Sequence, residues 1–142
     1  FTYISDIQNS PSSRGRALLI AGDPLDGTPA AGVSRIEYCN ISTLGNTKSF
    51  GDLLSTSKRG AALAGNTRAL HSAGTTPSQN SSIYYMTIAS EGNATGFGDL
   101  SGGRLGLTGY SSSTRGIWAS GYLNADTNII GPRTLEDPIK FG

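Results

Sequence analysis

Few residues in this chain could do acid–base or nucleophilic chemistry. His71 is the only histidine and Cys39 the only cysteine among 142 residues. A Ser-His-Asp triad needs an imidazole between a nucleophile and a carboxylate, so it would have to be built on His71. That residue lies in the phrase RALHSAG at 68–74, at a place held by Leu19 and Trp118 in two sister phrases. Interchange with large apolar residues marks a packed or strand-face histidine rather than a base. Cys39, next to Tyr38 in an apolar stretch, reads as a buried filler and can close no disulfide within the chain. Paired carboxylates would suit glycoside cleavage, but no pair of acids is marked out. Asp23 with Asp26, or Asn124 with Asp126, could offer oxygens to calcium, yet neither spacing fits a calcium loop. The sequence predicts no catalysis, no metal and no cofactor.

Bulk properties narrow the partners. Charged residues make up 15% of the chain and the formal net charge is +1, which gives no electrostatic footprint for nucleic acid and no basic arm for a membrane surface. The longest apolar run, ALLIAG at 17–22, is too short to span a bilayer, and no signal-peptide pattern is present. The first residue is Phe1 rather than Met, and the expectation is a chain that has been processed or belongs to something longer. Twenty glycines, abundant Ser, Thr and Asn, and no sustained 3.6-residue apolar period predict short strands joined by tight turns. The expected class is all-β, one domain.

The chain also repeats itself. GNTKSFGDL at 45–53 returns as GNATGFGDL at 92–100, an offset of 47 residues between Phe50 and Phe97, and a period of this length signals a repeat architecture. RALLIAG at 16–22, RALHSAG at 68–74 and RGIWASG at 115–121 form a second family, with RGAALAG at 59–65 and the shorter RLGLTG at 104–109 as relatives. Only Asn66 and Thr67 separate two of these phrases, as in a hairpin. RIEYCNI at 35–41 and SIYYMTI at 82–88 have the aromatic and β-branched content of a buried third strand. The Phe-Gly-Asp-Leu phrase supplies the fourth. Three four-stranded units follow, about 1–54, 55–101 and 102–142. In the third, Ile129 and Ile130 form a shortened third strand weakened by Pro132 and Pro138, and Phe141-Gly142 repeats the start of the fourth.

A small-residue strand ending in Gly, a variable polar loop, an I-x-Y strand and a fourth strand before an Arg-Gly pair resemble the kelch-type blade of β-propellers. NATGFGDLSGGRLGLTGYSSSTRGIWASGY resembles, more narrowly, the tandem repeats of virion structural and fibre proteins of tailed phages, marine ones in particular. Kelch blades usually carry a Gly-Gly pair, whereas this chain has Ala21-Gly22, Ala73-Gly74 and Ser120-Gly121, and Phe50, Phe97 and Phe141 stand where a Trp is usual. Copper oxidases among kelch propellers need more than one histidine, which this chain lacks. Three blades cannot close a ring at the usual angle, so the resemblance implies an incomplete or oligomer-completed propeller. The alternative is a pseudo-threefold β-prism or β-trefoil. Open edge strands call for a partner, either further copies of the chain or other virion proteins.

Residues written into every unit should serve folding and stacking. Phe50, Phe97 and Phe141 are expected in the inter-unit core, and Asp52 and Asp99 are expected to bond Arg59 and Arg104 or the backbone. Recognition then falls to the unlike loops after each second strand, through Asp23, Asp26, Gln79, Asn80, Tyr122, Asn124 and Asp126. Such groups can hydrogen-bond a sugar, with Tyr122 or Trp118 as a stacking face. The implied function is a non-enzymatic structural or adhesive module, in a virion or outside cells, that binds a glycan or a virion neighbour. The alternatives are a cellular kelch-like module that binds proteins and a pseudo-threefold lectin.

Overall fold

The computed structural model describes residues 15–23, 32–43, 45–72, 74–75, 78–122 and 139–140. Among them the regular structure is all β, in three antiparallel sheets. The first joins β1 (Arg16–Gly22), β2 (Val33–Asn40) and β3 (Lys48–Ser57) in the order β1-β2-β3. The second runs β4 (Ala62–Ala64), β5 (Arg68–Ser72), β6 (Ser82–Thr87) and β7 (Thr95–Asp99) in chain order. The third holds β8 (Leu105–Ser111), β9 (Arg115–Tyr122) and β10 (Ile139–Lys140), ordered β10-β9-β8.

Local sequence explains the turns. Between β4 and β5 the Gly65 amide donates to the Arg68 carbonyl at 2.9 Å, closing the two-residue turn over Asn66 and Thr67 that the spacing predicts. Between β8 and β9, Ser112 Oγ accepts the amides of Thr114 and Arg115 at 3.3 and 3.2 Å, a side-chain turn of the kind Ser favours. The position of this second turn shifts the expected alignment. Ser112, not Gly109, occupies the place of Gly65, and Gly109 pairs with Trp118 as Ala62 pairs with His71. Arg104 thus precedes β8 and is not the counterpart of Arg59.

In the third unit, Ile139 and Lys140 lie opposite Gly116 and Arg115, as Met86 and Thr87 lie opposite Ala69 and Arg68. The third-strand register therefore belongs to this two-residue strand. Ile129 and Ile130, expected in that strand, lie outside the described residues, as does Phe141.

The middle sheet is apolar on both faces because its strands alternate two apolar sets. Ala69, Tyr84 and Met86 point one way and join Leu18, Ile36, Phe50 and Leu53 of the first sheet, with Ile88 and Ala94, in one core. Leu63, Leu70 and Ile83 point the other way and join Leu107 and Trp118 of the third sheet, with Leu100, in another. The two cores thus lie on opposite sides of one sheet. Each unit presents its Leu18 or Leu70 side to the Ala69 or Gly116 side of the next, and a β-carbon at Gly116 would crowd Leu63.

Backbone bonds lock the rim of the first junction. The Gly92 amide donates to the Phe50 carbonyl and the Ala94 amide to the Asp52 carbonyl, both at 2.8 Å, while the Asp52 amide reaches Asn93 Oδ1 at 3.1 Å. Gly51 is obligatory here because a β-carbon would collide with the Gly92 carbonyl.

The repeated aromatics are used alike. Tyr38 meets Phe50 edge to face with centroids 6.1 Å apart, and Tyr85 meets Phe97 at 6.3 Å. Arg16 lies 4.5 Å above the Tyr38 ring and Arg68 lies 4.6 Å above Tyr85, a cation–π placement. The two phenylalanines differ in depth, since Phe50 is 4% exposed and Phe97 is half-buried against the second core. Phe50→Ala is expected to cost about 3–5 kcal/mol and Phe97→Ala about 1–2 kcal/mol in denaturant unfolding. Equal costs would contradict the difference in burial.

Candidate functional site

The ends of β1, β3 and β5 meet at one edge of the stack. Asp23, just after β1, pairs with Lys58, just after β3, at 3.5 Å, and both ends of the pair keep solvent contact. Lys58 in turn exchanges backbone hydrogen bonds with Thr75, after β5, at 3.3 and 2.9 Å. Thr75 bridges to Gln79. Gly74 makes this crossing possible, since at φ +63 its missing β-carbon leaves room for the Lys58 carbonyl. The connections after the second strand of one unit and the fourth strand of its neighbour are thereby tied together.

Asn80 is structurally engaged. Its Oδ1 accepts the Ser82 amide at 2.8 Å and its own amide donates to the Gly74 carbonyl at 2.9 Å, an Asx turn that fixes the entry to β6. Of the loop residues singled out by sequence, Asp23, Gln79 and Asn80 are thus brought to one end. Tyr122 closes β9 opposite Leu105. Asp26, Asn124 and Asp126 lie outside the described residues.

The repeated aspartates each take a serine partner. Ser34 Oγ donates to Asp52 at 3.0 Å and Ser81 Oγ donates to Asp99 at 3.1 Å. Arg59 is instead an exposed turn residue at φ +60 whose carbonyl accepts the Gly106 amide, whereas Arg104 is buried. The serine partners were discoverable, because Ser34 and Ser81 are separated by the same 47 residues as the aspartates.

Among the described residues, a grouping that resembles catalytic machinery lies inside the first junction. Ser57 Oγ is 3.1 Å from His71 Nε2. Ser57 is fully buried and His71 is 4% exposed. Among the described residues His71 Nδ1 has no hydrogen-bond partner, so none of them stands as the orienting carboxylate of a triad. Sequence reasoning placed His71 correctly on a strand but missed Ser57, which the fold alone brings to it. Gly60 packs against the imidazole edge, where a β-carbon would overlap the ring.

At the opposite end of the first sheet an open groove of about 280 Å³ lies beside Tyr38, Asn40, Thr43 and the Gly45–Lys48 segment, with Cys39 in its wall. Nearby the Tyr38 hydroxyl donates to Glu91 at 2.6 Å, and that carboxylate raises the phenol above its ordinary pKa. Among the described residues no group of His, Cys, Asp and Glu is placed to hold a metal ion, and no helix is long and apolar enough to cross a membrane. No protein-family model matches the chain and no curated protein matches it.

Burial lowers the His71 pKa to about 4 from an ordinary 6.5. Between those values the unfolded chain holds the extra proton and the folded chain does not, so stability rises with pH across this window and is complete above it. Urea unfolding should show a loss of up to about 3 kcal/mol as pH falls from 7 toward 4. His71→Leu, which installs the residue found at position 19, should flatten that slope. An unchanged slope would show that His71 is not its source.

Proposed function

We propose that the chain is a non-enzymatic structural or adhesive module of a phage particle, part of a fibre, tail or capsid decoration. Its units act as kelch-like blades of an incomplete or oligomer-completed propeller and present the loop end to a glycan or to a neighbouring virion protein. The observation that carries this reading is the use made of the repeated residues. Arg16, Tyr38 and Phe50, and likewise Arg68, Tyr85 and Phe97, are spent on stacking. Asp52 and Asp99 are spent on fixing strand ends. Recognition is left to the unlike connections at the Asp23–Lys58 end, as is usual for loops on a rigid scaffold.

Two cores on opposite faces of the middle sheet favour a blade-like succession over a prism or trefoil, in which units face a shared centre. The burial of the Ser57–His71 pair, with no described carboxylate on His71 Nδ1, supports the non-enzymatic part of the reading. The phage setting is drawn from the resemblance of the repeat sequence.

A glycan array and a panel of virion proteins, probed with the intact protein, test the loop end. Asp23→Ala with Gln79→Ala is expected to weaken any captured ligand by at least about tenfold, equivalent to roughly 1.4 kcal/mol, with the unfolding midpoint unchanged. Binding that ignores these substitutions would remove the loop end as the recognition surface.

A further inference from the structure

The phrase written twice has two working halves. At the first junction the Phe-Gly-Asp half of one copy, Phe50–Asp52, offers its free strand edge. The Gly-Asn half of the other copy, Gly92–Ala94, takes that edge with two amides and one side-chain oxygen. Beneath the bonds, Ile88 and Ala94, 0% and 4% exposed, close over Phe50.

The Gly-Asn half of the first copy repeats that Gly-Asn pair in the same local frame, with Thr47 in place of Ala94, and no described strand lies upon it. Tyr38 pairs with Lys48 as Tyr85 pairs with Thr95, which fixes Gly45, Asn46 and Thr47 as counterparts of Gly92, Asn93 and Ala94. All three are exposed. Ile41, the counterpart of the fully buried Ile88, is 38% exposed. The 280 Å³ groove, lined by Tyr38–Asn40 and Gly45–Lys48 of the first unit, lies at the place that corresponds to the one where the second unit receives Phe50–Asp52.

We propose that this groove docks the fourth strand of another unit of the same repeat, an extended Phe-Gly-Asp edge supplied from outside these 142 residues. The Gly45 and Thr47 amides donate to the carbonyls of the incoming Phe and Asp, Asn46 Oδ1 accepts the incoming Asp amide, and Ile41 closes beneath the incoming ring. Strand addition of this type takes its affinity from backbone bonds and its specificity from the pockets between them. Here the specificity lies in the central glycine, because the approaching Gly45 carbonyl leaves no room for a β-carbon, as the Gly92 carbonyl leaves none at Gly51.

The occupant is not β7 of a second copy. Phe97–Asp99 has the right sequence, and a β-carbon at Gly98 would meet nothing within 4 Å. The face beside it, however, is covered by Leu107 and Trp118 of the third sheet, where the sheet of a docking first unit would have to lie. This inference rests on the assembly reading above and names the surface through which assembly proceeds.

The test is a titration of the intact protein with the peptide TGFGDLS, the sequence of residues 95–101, followed by amide NMR shifts. Saturable binding is expected, with shifts at Ile41 and Gly45–Lys48. It should weaken by at least about tenfold, roughly the loss of one hydrogen bond and one apolar contact, when the protein carries Ile41→Lys with Asn46→Ala. A peptide carrying Gly98→Ala should lose affinity to a similar extent. Absence of saturable binding, or binding indifferent to both changes, overturns the proposal. Self-association of the chain that disappears with Ile41→Lys and Asn46→Ala would reassign the groove to a second copy and overturn the external source. The loop end lies at the opposite edge of the first sheet, so a negative result with glycans or virion proteins there leaves the peptide result unaffected.

Discussion

The middle sheet cannot exist by itself, and that constraint organises the rest. Leu63, Leu70 and Ile83 on one side and Ala69, Tyr84 and Met86 on the other are almost completely buried. A short four-stranded sheet with two apolar faces has no stable solvated form, so a neighbour on each side is a condition of folding. The neighbours are supplied in chain order, one before and one after. Small residues then set how closely they approach. Ala69 accepts Leu18 and its surroundings, and Gly116 lets Leu63 come against the β9 backbone. The rim bonds at Phe50–Asp52 add register to a contact that apolar packing alone would leave free to slide.

Each junction also carries its own polar fastening. Positions 19, 71 and 118 are equivalent in the repeated phrase, yet hold Leu, His and Trp. His71 reaches back to Ser57, and Trp118 Nε1 donates to the Ala61 carbonyl at 3.2 Å. A different buried group at each junction lets one sheet recognise its proper neighbour, since a wrong pairing would leave a donor or acceptor unsatisfied. Ser55 with Tyr84, at 2.9 Å, adds a second such contact to the first junction.

Much of this was written in the sequence wherever a signal was local or periodic. The Asn66-Thr67 turn, the strand character of RALHS and SIYYMT, and the place of Phe50 and Phe97 on matching strands follow from spacing and side-chain type. Two kinds of feature escaped. The first comes from register: RLGLTG looks like RGAALAG, but the turn after β8 falls at Ser112, so Arg104 and Arg59 occupy unlike places. A short motif rich in glycine does not show which residue sits at the bend. The second is nonlocal. Lys58 finds Asp23, and Ser57 finds His71, only because β3 ends between two loops. No pattern within either segment announces the pairing. Half of the candidate site was legible as loop residues, and its cation was not.

The two broad surfaces of every unit are unlike, and each joint sets one kind against the other. Such a joint is heterologous, so no twofold axis can relate the partners across it, and repetition of the contact produces either a closed ring or an open row. The molecule therefore has direction. Its leading side carries the Gly45–Lys48 groove, while its trailing side shows Tyr110, 63% exposed on β8. Whatever terminates such a row must come as two different caps, one shaped for each end.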